Sequence, residues 1–267
     1  MFAPWSLVIS GLILSCLLMA ALWLVELKRS DASVVDAGWA GSLAMLALLY
    51  ACFADGAPER RFLAAVLGGG WALRLTVHLL RDRVIGKTED GRYQYLRSYW
   101  GEAAHCKFFF FFQAQALASV LFSLPFLALS LDGRAEVTFA DLCGVLIWAA
   151  AVAGENLADR QLSRFRSVPD NKGQTCSSGL WRYSRHPNYF FEWLHWWSYP
   201  ALAWGGGYWW LTIWAPFAML FFLLKVTGIP YTEARALKTR PGYAEYQRTT
   251  SAFFPWFPRK IRVDKNA

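Results

Sequence analysis

Several ionisable side chains lie inside long apolar stretches of this sequence, among them Asp36, Arg74, His78 and Glu192. A charged residue at the centre of a membrane helix costs roughly 2.5–3.5 kcal/mol, so each of them needs a partner, a cavity or a function. Such groups can transfer protons, stabilise a developing oxyanion or hold an anionic ligand. Structural roles stay open: Arg74 could extend to the interface or pair with Asp36, and His78, like His195, could be a satisfied core histidine.

The sequence contains three polar stripes, because side chains three or four residues apart share a helix face, and Arg74, His78 and Glu192 belong to them. The stripes are Trp71, Arg74, His78 and Asp82; Glu155, Asp159, Ser163 and Arg166; and Asn188, Glu192, His195 and Tyr199. All three lie at the same predicted depth, so we expect them to line one cavity that opens to the cytosol. The opposing interpretation makes Asp159 and Arg166 a juxtamembrane ion pair.

A helix start is predicted at Pro187, since proline suits the first turn, where its missing N–H costs nothing. The amides of that turn point away from the helix, and Arg185 and His186 stand just before it. Positive side chains beside a helix amino terminus predict an anion-binding site.

The elements that carry these residues are apolar enough to cross a membrane. Of 267 residues, 56% are hydrophobic and 17% charged, and the mean hydropathy is +0.25, which excludes disorder and an ordinary soluble domain. We expect an all-α polytopic membrane protein of seven transmembrane helices, whose first helix is a span and not a cleaved signal peptide. The predicted spans are Trp5–Leu27, Val34–Ala54, Phe62–Leu80, Phe108–Ser130, Phe139–Glu155, Pro187–Ala203 and Tyr208–Val226.

The basic residues set the predicted orientation. Of 27 lysines and arginines, only Arg60, Arg61 and Arg134 fall in loops assigned to the outside, so the N-terminus is outside and the C-terminus cytoplasmic. Residues 1–267 then form a single integral domain of the cell inner membrane. The net charge of +8 mostly reflects this bias, nucleic acid is not an expected partner, and the inner bases also suit a polyanionic small molecule. Three cytosolic segments are expected to cap the cavity: 81–107, 159–186 and 227–267.

Cysteine and glycine patterns exclude two other kinds of site. The five cysteines form no C-x-x-C pair, so neither a disulfide framework nor a metal site is expected. Gly68, Gly69 and Gly70 lie inside an apolar stretch with no strand before them, which excludes a Rossmann domain and favours close helix packing.

Longer motifs carry a family resemblance. Arg185-His186-Pro187-Asn188-Tyr189 is followed by Glu192, and Trp71-Ala72-Leu73-Arg74 by Glu89-Asp90-Gly91-Arg92-Tyr93. The tail reads Lys225-Val226-Thr227-Gly228-Ile229-Pro230, Glu233, Arg240-Pro241-Gly242-Tyr243 and Tyr246-Gln247-Arg248-Thr249. These motifs resemble the superfamily that joins steroid 5-alpha-reductases to isoprenylcysteine carboxyl methyltransferases, and its bacterial membrane proteins of unknown function. The reductase resemblance implies seven spans, NADPH in the cytosolic half, and reduction of a carbon–carbon double bond conjugated to a ketone.

The same resemblance implies which residues bind the cofactor. Asn188 and Glu192 match cofactor-contacting residues of the reductases, and His78 and Glu155 replace a family Tyr and Asn. The cofactor-binding set is Arg74, Asp82, Arg83, Arg92, Tyr93, Asp159, Arg166, Lys172, Tyr183, Arg185, His186, Asn188, Glu192, Glu233 and Tyr246.

The catalytic pair of the steroid enzymes, a Glu and a Tyr, falls here on Asp36 and Trp71. An indole N–H cannot act as a proton-transfer acid, so His78 or Tyr93 is the substitute donor. Asp36 itself is a candidate donor, because burial can keep a carboxylic acid protonated. We expect catalysis to depend on Asp36, Trp71 and His78.

The expected partners are membrane lipid and an apolar steroid- or terpenoid-like substrate, bound by a monomer. The alternative enzyme is an S-adenosylmethionine-dependent methyltransferase of the isoprenylcysteine type, because the Arg-His-Pro and late Glu elements also occur there. A small transporter or lipid-binding module would need polar residues in the outer half, which carries almost none.

Overall fold

Helices are the regular secondary structure of the residues that the structure, a computed structural model, describes: 3–226 and 228–259. No strand occurs within those two ranges. This confirms the expected all-helical class. Thr227 of the tail motif and residues 260–267 of the predicted capping segment lie outside the described residues.

Six helical stretches in the described ranges are long and apolar enough to cross a membrane. They account for every predicted span except Pro187–Ala203. They are Pro4–Arg29, Val34–Phe53, Pro58–Val84, Gly91–Ser130, Phe139–Ser167 and Trp210–Thr239.

The helices divide between two compact units, and each is described by itself. Unit 1 holds the described residues up to Val137 together with Ala203–Thr212, and unit 2 holds Thr138–Leu202 and the described residues from Ile213 onward. Unit 1 contains α1 (Pro4–Arg29), α2 (Val34–Phe53), α3 (Pro58–Leu63), α4 (Gly70–Leu79), α5 (Gly91–Trp100) and α6 (Ala104–Ser130). Outside it lie α7 (Phe139–Ser167), α8 (Pro187–Trp196), α9 (Ser198–Leu202), most of α10 (Trp210–Phe221), α11 (Ile229–Thr239) and α12 (Tyr243–Thr249).

Helix α2 is the centre of unit 1, where it packs against α1, α4 and α6. Glycines let these helices approach closely: a Cβ on Gly38 would lie 2.4 Å from Leu22, and one on Gly68 would lie 2.9 Å from the Phe126 ring. The packing role expected for the triple glycine is thus met at Gly68, whereas Gly70 has nothing within 4 Å. One wide π-helical turn, Ala64–Gly69, joins α3 to α4, and another, Leu80–Val84, extends α4.

Two of the predicted cytosolic segments, 81–107 and 159–186, are partly helical. Residues 81–107 contain α5, because the Asp90 side chain caps its amino terminus by accepting from the Arg92 amide. Helix α7 continues to Ser167, twelve residues beyond the predicted end at Glu155, and stops just before Pro169. No Gly or Pro interrupts that extension, so nothing local ends the helix earlier.

The predicted sixth span, Pro187–Ala203, folds as α8 and α9 with a turn at Trp197 between them. Pro200 explains the break, since a proline ring clashes with the carbonyl four residues earlier, here that of Trp196. The start at Pro187 is confirmed.

Close packing of α7 on α8 in unit 2 predicts a size limit at Gly154. A Cβ there would lie 2.3–2.5 Å from the Phe191 ring, so Gly154→Ala should destabilise the protein by about 1–3 kcal/mol. In Gly70→Ala the new methyl meets nothing within 4 Å, and the variant should be neutral or more stable by up to about 1 kcal/mol. Thermal unfolding of both purified variants checks this, and equal midpoints would contradict the packing argument.

Candidate functional site

The Asp36 cluster, which we define as Asp36, Arg83, Arg92 and Tyr93, is a hydrogen-bonded polar group of unit 1. Asp36 Oδ2 accepts from Arg83 Nη1 at 2.5 Å and from Arg92 Nη2 at 2.6 Å. The Tyr93 hydroxyl donates to Asp36 Oδ1 at 2.6 Å. Asp90 also pairs with Arg92, at 3.0 Å. Four residues of the predicted site are therefore brought together.

Three local features place these side chains. Asp36 lies in the first turn of α2, and Arg83 in the π-helical turn that extends α4. The capped start of α5 turns Arg92 and Tyr93 toward Asp36, and the Tyr93 ring contacts Phe108 and Phe111 edge to face. Tyr93 is only 3% exposed, so its hydroxyl is shielded from water.

The surroundings of Asp36 favour its ionised form. Two guanidinium groups and a hydroxyl all donate to this one carboxylate, and donors of this kind stabilise the charge. The structure therefore supports Asp36 as an acceptor, and the donor that faces it is the Tyr93 hydroxyl. The expectation that Asp36 remains protonated has no support in this geometry.

The side chains of the predicted polar stripe on α4 differ in exposure and do not all lie on one face. Trp71 is buried, Arg74 and His78 are half-buried, and Asp82 is exposed in the π-helical turn. A π-turn has more residues per turn than an α-helix, so it rotates Asp82 away from the face that the three-or-four spacing assigns to it. The catalytic roles of Trp71 and His78 stay predictions.

A second buried network in unit 1 was missed by the sequence analysis. Glu26, 0% exposed on α1, pairs with Arg97 at 2.9 Å and with His105 at 3.0 Å. Arg97 also pairs with Glu89 at 2.8 Å, which in turn accepts from the Ala32 amide. The signal was present, since Glu26 is the one charge within an otherwise apolar stretch.

In unit 2, Arg185 and His186 converge on Glu233 of α11. Arg185 Nε donates to Glu233 Oε1 at 2.7 Å, and His186 Nε2 lies 3.1 Å from the same oxygen. Arg185 also donates to the carbonyls of Gln247 and Thr250, at 2.9 and 2.5 Å. The anion beside the start of α8 is thus a carboxylate of the chain itself. Binding of an external anion by Arg185 and His186 stays a prediction.

The segment after α12 is held against the loop before α8. The Tyr246 hydroxyl donates to the carbonyls of Trp181 and Ser184, and Ser184 Oγ donates to the Phe253 carbonyl at 2.8 Å. Burial raises the pKa of Tyr246, so it stays a neutral donor. Tyr183 next to this contact is exposed. The tail is therefore held by side-chain bonds to main-chain carbonyls, and the cofactor-binding role of Tyr246 stays a prediction.

The stripes of α7 and α8 meet as predicted. Asn188 Nδ2 donates to Asp159 Oδ1 at 3.2 Å, and Glu192 Oε1 accepts from Trp196 Nε1 at 3.2 Å. Deeper along α8, the Tyr199 hydroxyl lies 2.9 Å from His195 Nε2, and both side chains are fully buried. The Nε2 atom of His195 is thus hydrogen-bonded in the protein interior. The single cavity expected to join these stripes to α4 stays a prediction.

Unit 2 also contains an open cleft of about 630 Å³. It is lined by Lys172 and Thr175 from the loop after α7 and by Pro241, Gly242 and Glu245 near α12. Arg166, the remaining predicted cofactor ligand of unit 2, is exposed near the end of α7. No group of three metal-ligating side chains occurs within the described residues.

Buried His186 predicts a pH dependence of folding. Burial lowers the pKa of His186 below 6.5, although the hydrogen bond to Glu233 opposes this. The unfolded chain takes up this proton near pH 6.5, so stability is full above that pH and falls as the pH drops below it. We expect loss of up to about 1.4 kcal/mol per pH unit and a flatter profile for His186→Gln. Thermal midpoints from pH 7.5 down to pH 5.5 test this, and parallel profiles would contradict it.

Comparison with known proteins adds family-level information. A family model described as "Protein of unknown function (DUF1295)" matches residues 22–250. An uncharacterised protein of Schizosaccharomyces pombe is 27% identical over 274 residues, which cover 92% of this chain and 78% of the relative. No solved structure matches the chain.

Proposed function

We propose, from the premise that the chain belongs to the DUF1295 family, that it is an NADPH-dependent membrane reductase. Its reaction would reduce a carbon–carbon double bond conjugated to a ketone in an apolar steroid- or terpenoid-like substrate. That family includes steroid 5-alpha-reductase-like proteins, which supports this choice. We propose further that the protein is a monomer of the cell inner membrane, with seven crossings, the N-terminus outside and the C-terminus cytoplasmic. Here α8 and α9 together would make the crossing beyond the six long apolar stretches.

The observation that carries the proposal is the contact between Asp36 and Tyr93. The resemblance calls for a carboxylate on the second span that is paired with a tyrosine. It falls on Asp36 and Trp71, with His78 or Tyr93 as the substitute donor. The Tyr93 hydroxyl of α5 lies 2.6 Å from Asp36, which supports Tyr93 as that tyrosine. The tyrosine of this carboxylate–tyrosine pair thus comes from α5, whereas the residue that the resemblance matches, Trp71, lies on α4.

Each member of the Asp36 cluster has a defined task in this chemistry. Tyr93 supplies the proton that the substrate gains, since its hydroxyl is a buried donor. Asp36 orients that hydroxyl by accepting its hydrogen bond, and the tyrosinate formed in the reaction regains its proton from solvent after turnover. Arg83 and Arg92 keep Asp36 ionised, because each donates to Oδ2 within 2.6 Å. The protein shields these groups, and a low dielectric strengthens their electrostatic effect.

Residues of unit 2 fit a phosphate-bearing cofactor. NADPH would supply the hydride, and the predicted ligands Arg166 and Lys172 are exposed cations without a carboxylate partner among the described side chains. Asn188 and Glu192, by contrast, are held in place by Asp159 and Trp196. They present amide and carboxylate atoms suited to the neutral parts of a dinucleotide.

A second candidate is an S-adenosylmethionine-dependent methyltransferase. The bonded set of Arg185, His186 and Glu233 favours it, because Arg-His-Pro and a late Glu are the elements shared with isoprenylcysteine enzymes. The Asp36 cluster has no task in that reaction, so we rank it second.

Ligand titration of the purified protein separates the two reactions. We expect NADPH to raise the thermal midpoint and S-adenosylmethionine to leave it unchanged, because a ligand stabilises only the state that binds it. Turnover would then be followed as NADPH oxidation with a steroid enone. A midpoint shift with S-adenosylmethionine alone would reject the reductase.

A further inference from the structure

Helix α5, which carries Tyr93, packs on the rest of unit 1 mainly through one face. It is ten residues long, and a helix of that length is only marginally stable by itself in water. Its position therefore depends on the contacts that hold it. The side chains of the packed face are buried or half-buried and recur three or four residues apart: Tyr93, Leu96, Arg97 and Trp100. Those of the other face are exposed: Gln94, Tyr95, Ser98 and Tyr99.

Arg97 is the charged residue of the packed face, and its guanidinium group joins two carboxylates. Arg97 Nη2 lies 2.9 Å from Glu26 Oε1 of α1 and 2.8 Å from Glu89 Oε1. Glu89 Oε1 also accepts from the Ala32 amide at 2.8 Å, in the turn between α1 and α2. We call Arg97, Glu26 and Glu89 the Arg97 bridge. It fixes α5 to α1 and to the turn that precedes α2.

The two carboxylates of the Arg97 bridge both contact the same nitrogen atom, so the charge of Arg97 lies between them. The side chains of Glu26 and Glu89 are only 0% and 10% exposed, and like charges repel strongly where water is excluded. His105 also contacts Glu26, at 3.0 Å, but it is charged only when protonated. Loss of the Arg97 charge would therefore drive Glu89, and with it the start of α5, away from α1.

The Arg97 bridge is connected to Tyr93 through the helix and through a shared aromatic ring. Arg97 lies one turn after Tyr93, on the same face of α5. Its guanidinium group lies over the Phe108 ring, 4.8 Å from the ring centre, and the Tyr93 ring contacts Phe108 edge to face. A displacement of α5 would thus lengthen the 2.6 Å hydrogen bond from the Tyr93 hydroxyl to Asp36.

We propose that Arg97 is a positioning residue, which holds the Tyr93 hydroxyl within hydrogen-bonding distance of Asp36. The inference rests on the proposed function, because the reaction concerned is the one in which Tyr93 supplies the proton. Arg97 acts through Tyr93 and takes no part in the proton transfer itself. It is not among the site residues that the sequence predicts.

A double-mutant cycle on the full-length protein in lipid nanodiscs tests this role. Arg97→Gln should lower kcat for reduction of a steroid enone about 10- to 100-fold, because a small misplacement of a catalytic group costs this much, and should leave the dissociation constant of NADPH unchanged. In a Tyr93→Phe chain the same substitution should cause no further loss, since the hydroxyl that Arg97 positions is already absent.

Two further variants complete the cycle. Arg97→Lys keeps a positive charge between the carboxylates and should retain most of the rate. Arg29→Gln is the matched control, because it removes an equal charge from an exposed site on α1, the helix that carries Glu26. Its rate should equal that of the wild type.

A label at position 93 separates this proposal from the reductase. Fluorotyrosine in place of Tyr93 gives a fluorine NMR resonance that reports on the surroundings of the hydroxyl without any turnover. The resonance should move in Arg97→Gln and keep its wild-type position in Arg97→Lys and Arg29→Gln. If it does so and the protein reduces no enone, the positioning role stands and the reductase fails.

Two results would overturn the positioning role. An unchanged resonance in Arg97→Gln would show that Tyr93 is not displaced. If the wild type reduces the enone and the losses from Arg97→Gln and Tyr93→Phe multiply, Arg97 has a structural role only and the reductase stands. Glu89→Gln is the second variant should Arg97→Gln not fold, because it weakens one arm of the bridge and leaves Arg97 paired with Glu26. The resonance should then move less, and no movement would again overturn the proposal.

Discussion

Tyr93→Phe is expected to lower the rate of enone reduction about 100-fold or more and to leave the dissociation constant of NADPH unchanged. General acid catalysis by a positioned side chain contributes this much, and the substitution removes only the hydroxyl that donates to Asp36. Loss of that hydroxyl also leaves Asp36 with its two arginine partners, so the cluster stays charge-compensated. Steady-state NADPH oxidation with a steroid enone measures the rate, and calorimetry measures binding.

Tyr95→Phe is the matched control for this experiment, since Tyr95 lies on the same helix and is 66% exposed. It should reduce the enone at the wild-type rate. A Tyr93→Phe enzyme of full activity would exclude Tyr93 as the proton donor and leave His78 as the candidate. A rate lost in equal measure with NADPH affinity would instead indicate a structural role for the hydroxyl.

Arg185→Ala is expected to destabilise unit 2 by about 3–5 kcal/mol, because it leaves Glu233 as a buried carboxylate without its main partner. The two side chains are only 11% and 14% exposed, so water cannot replace the lost contacts. The carbonyls of Gln247 and Thr250 lose their donor as well. Alkylation of Cys176 during urea titration reports on this unit, since that thiol is 3% exposed in the folded chain.

Arg182→Ala provides the comparison, as Arg182 is exposed three residues earlier in the same segment. We expect its alkylation midpoint to match the wild type. Glu233→Gln should be milder than Arg185→Ala, because an amide still accepts from Arg185 and no charge is left unpaired. If Arg185→Ala unfolds at the wild-type midpoint, the network is not a stabilising element of the unit.

Much of the helical plan could be predicted from the sequence, because apolar length is a property of each segment alone. Trp5–Leu27 and Val34–Ala54, for example, coincide with α1 and α2 to within a few residues. The break at Trp197 was missed because Pro200 acts on a carbonyl four residues away. The helix of residues 91–100 was missed because its polar sequence lacks an apolar run, while its cap at Asp90 is a local signal that could have been used.

For the candidate site, the sequence predicted which side chains share a helix face better than it predicted which side chains contact one another. Spacing on one helix predicts a shared face, and the pairing of Asn188 with Asp159 shows two such faces meeting. Spacing contains no information about which loop folds over a helix, so the joining of Tyr93 to Asp36 across 57 positions could not be deduced. For the same reason the pairing of Arg185 with Glu233, across 48 positions, could not be deduced.

The distance in sequence between Glu26 and its partners bears on how the chain is made. Helix α1 leaves the ribosome carrying a carboxylate, and His105, one of the groups that compensate it, lies 79 residues farther along. Until α5 and the start of α6 have been synthesised, the lipid would have to accommodate that charge alone. Release of the first helix from the translocon should therefore wait until the later helices have been made. A nascent chain truncated before Arg97 should remain crosslinkable to the translocon. The same truncated chain with Glu26→Gln should not remain crosslinkable.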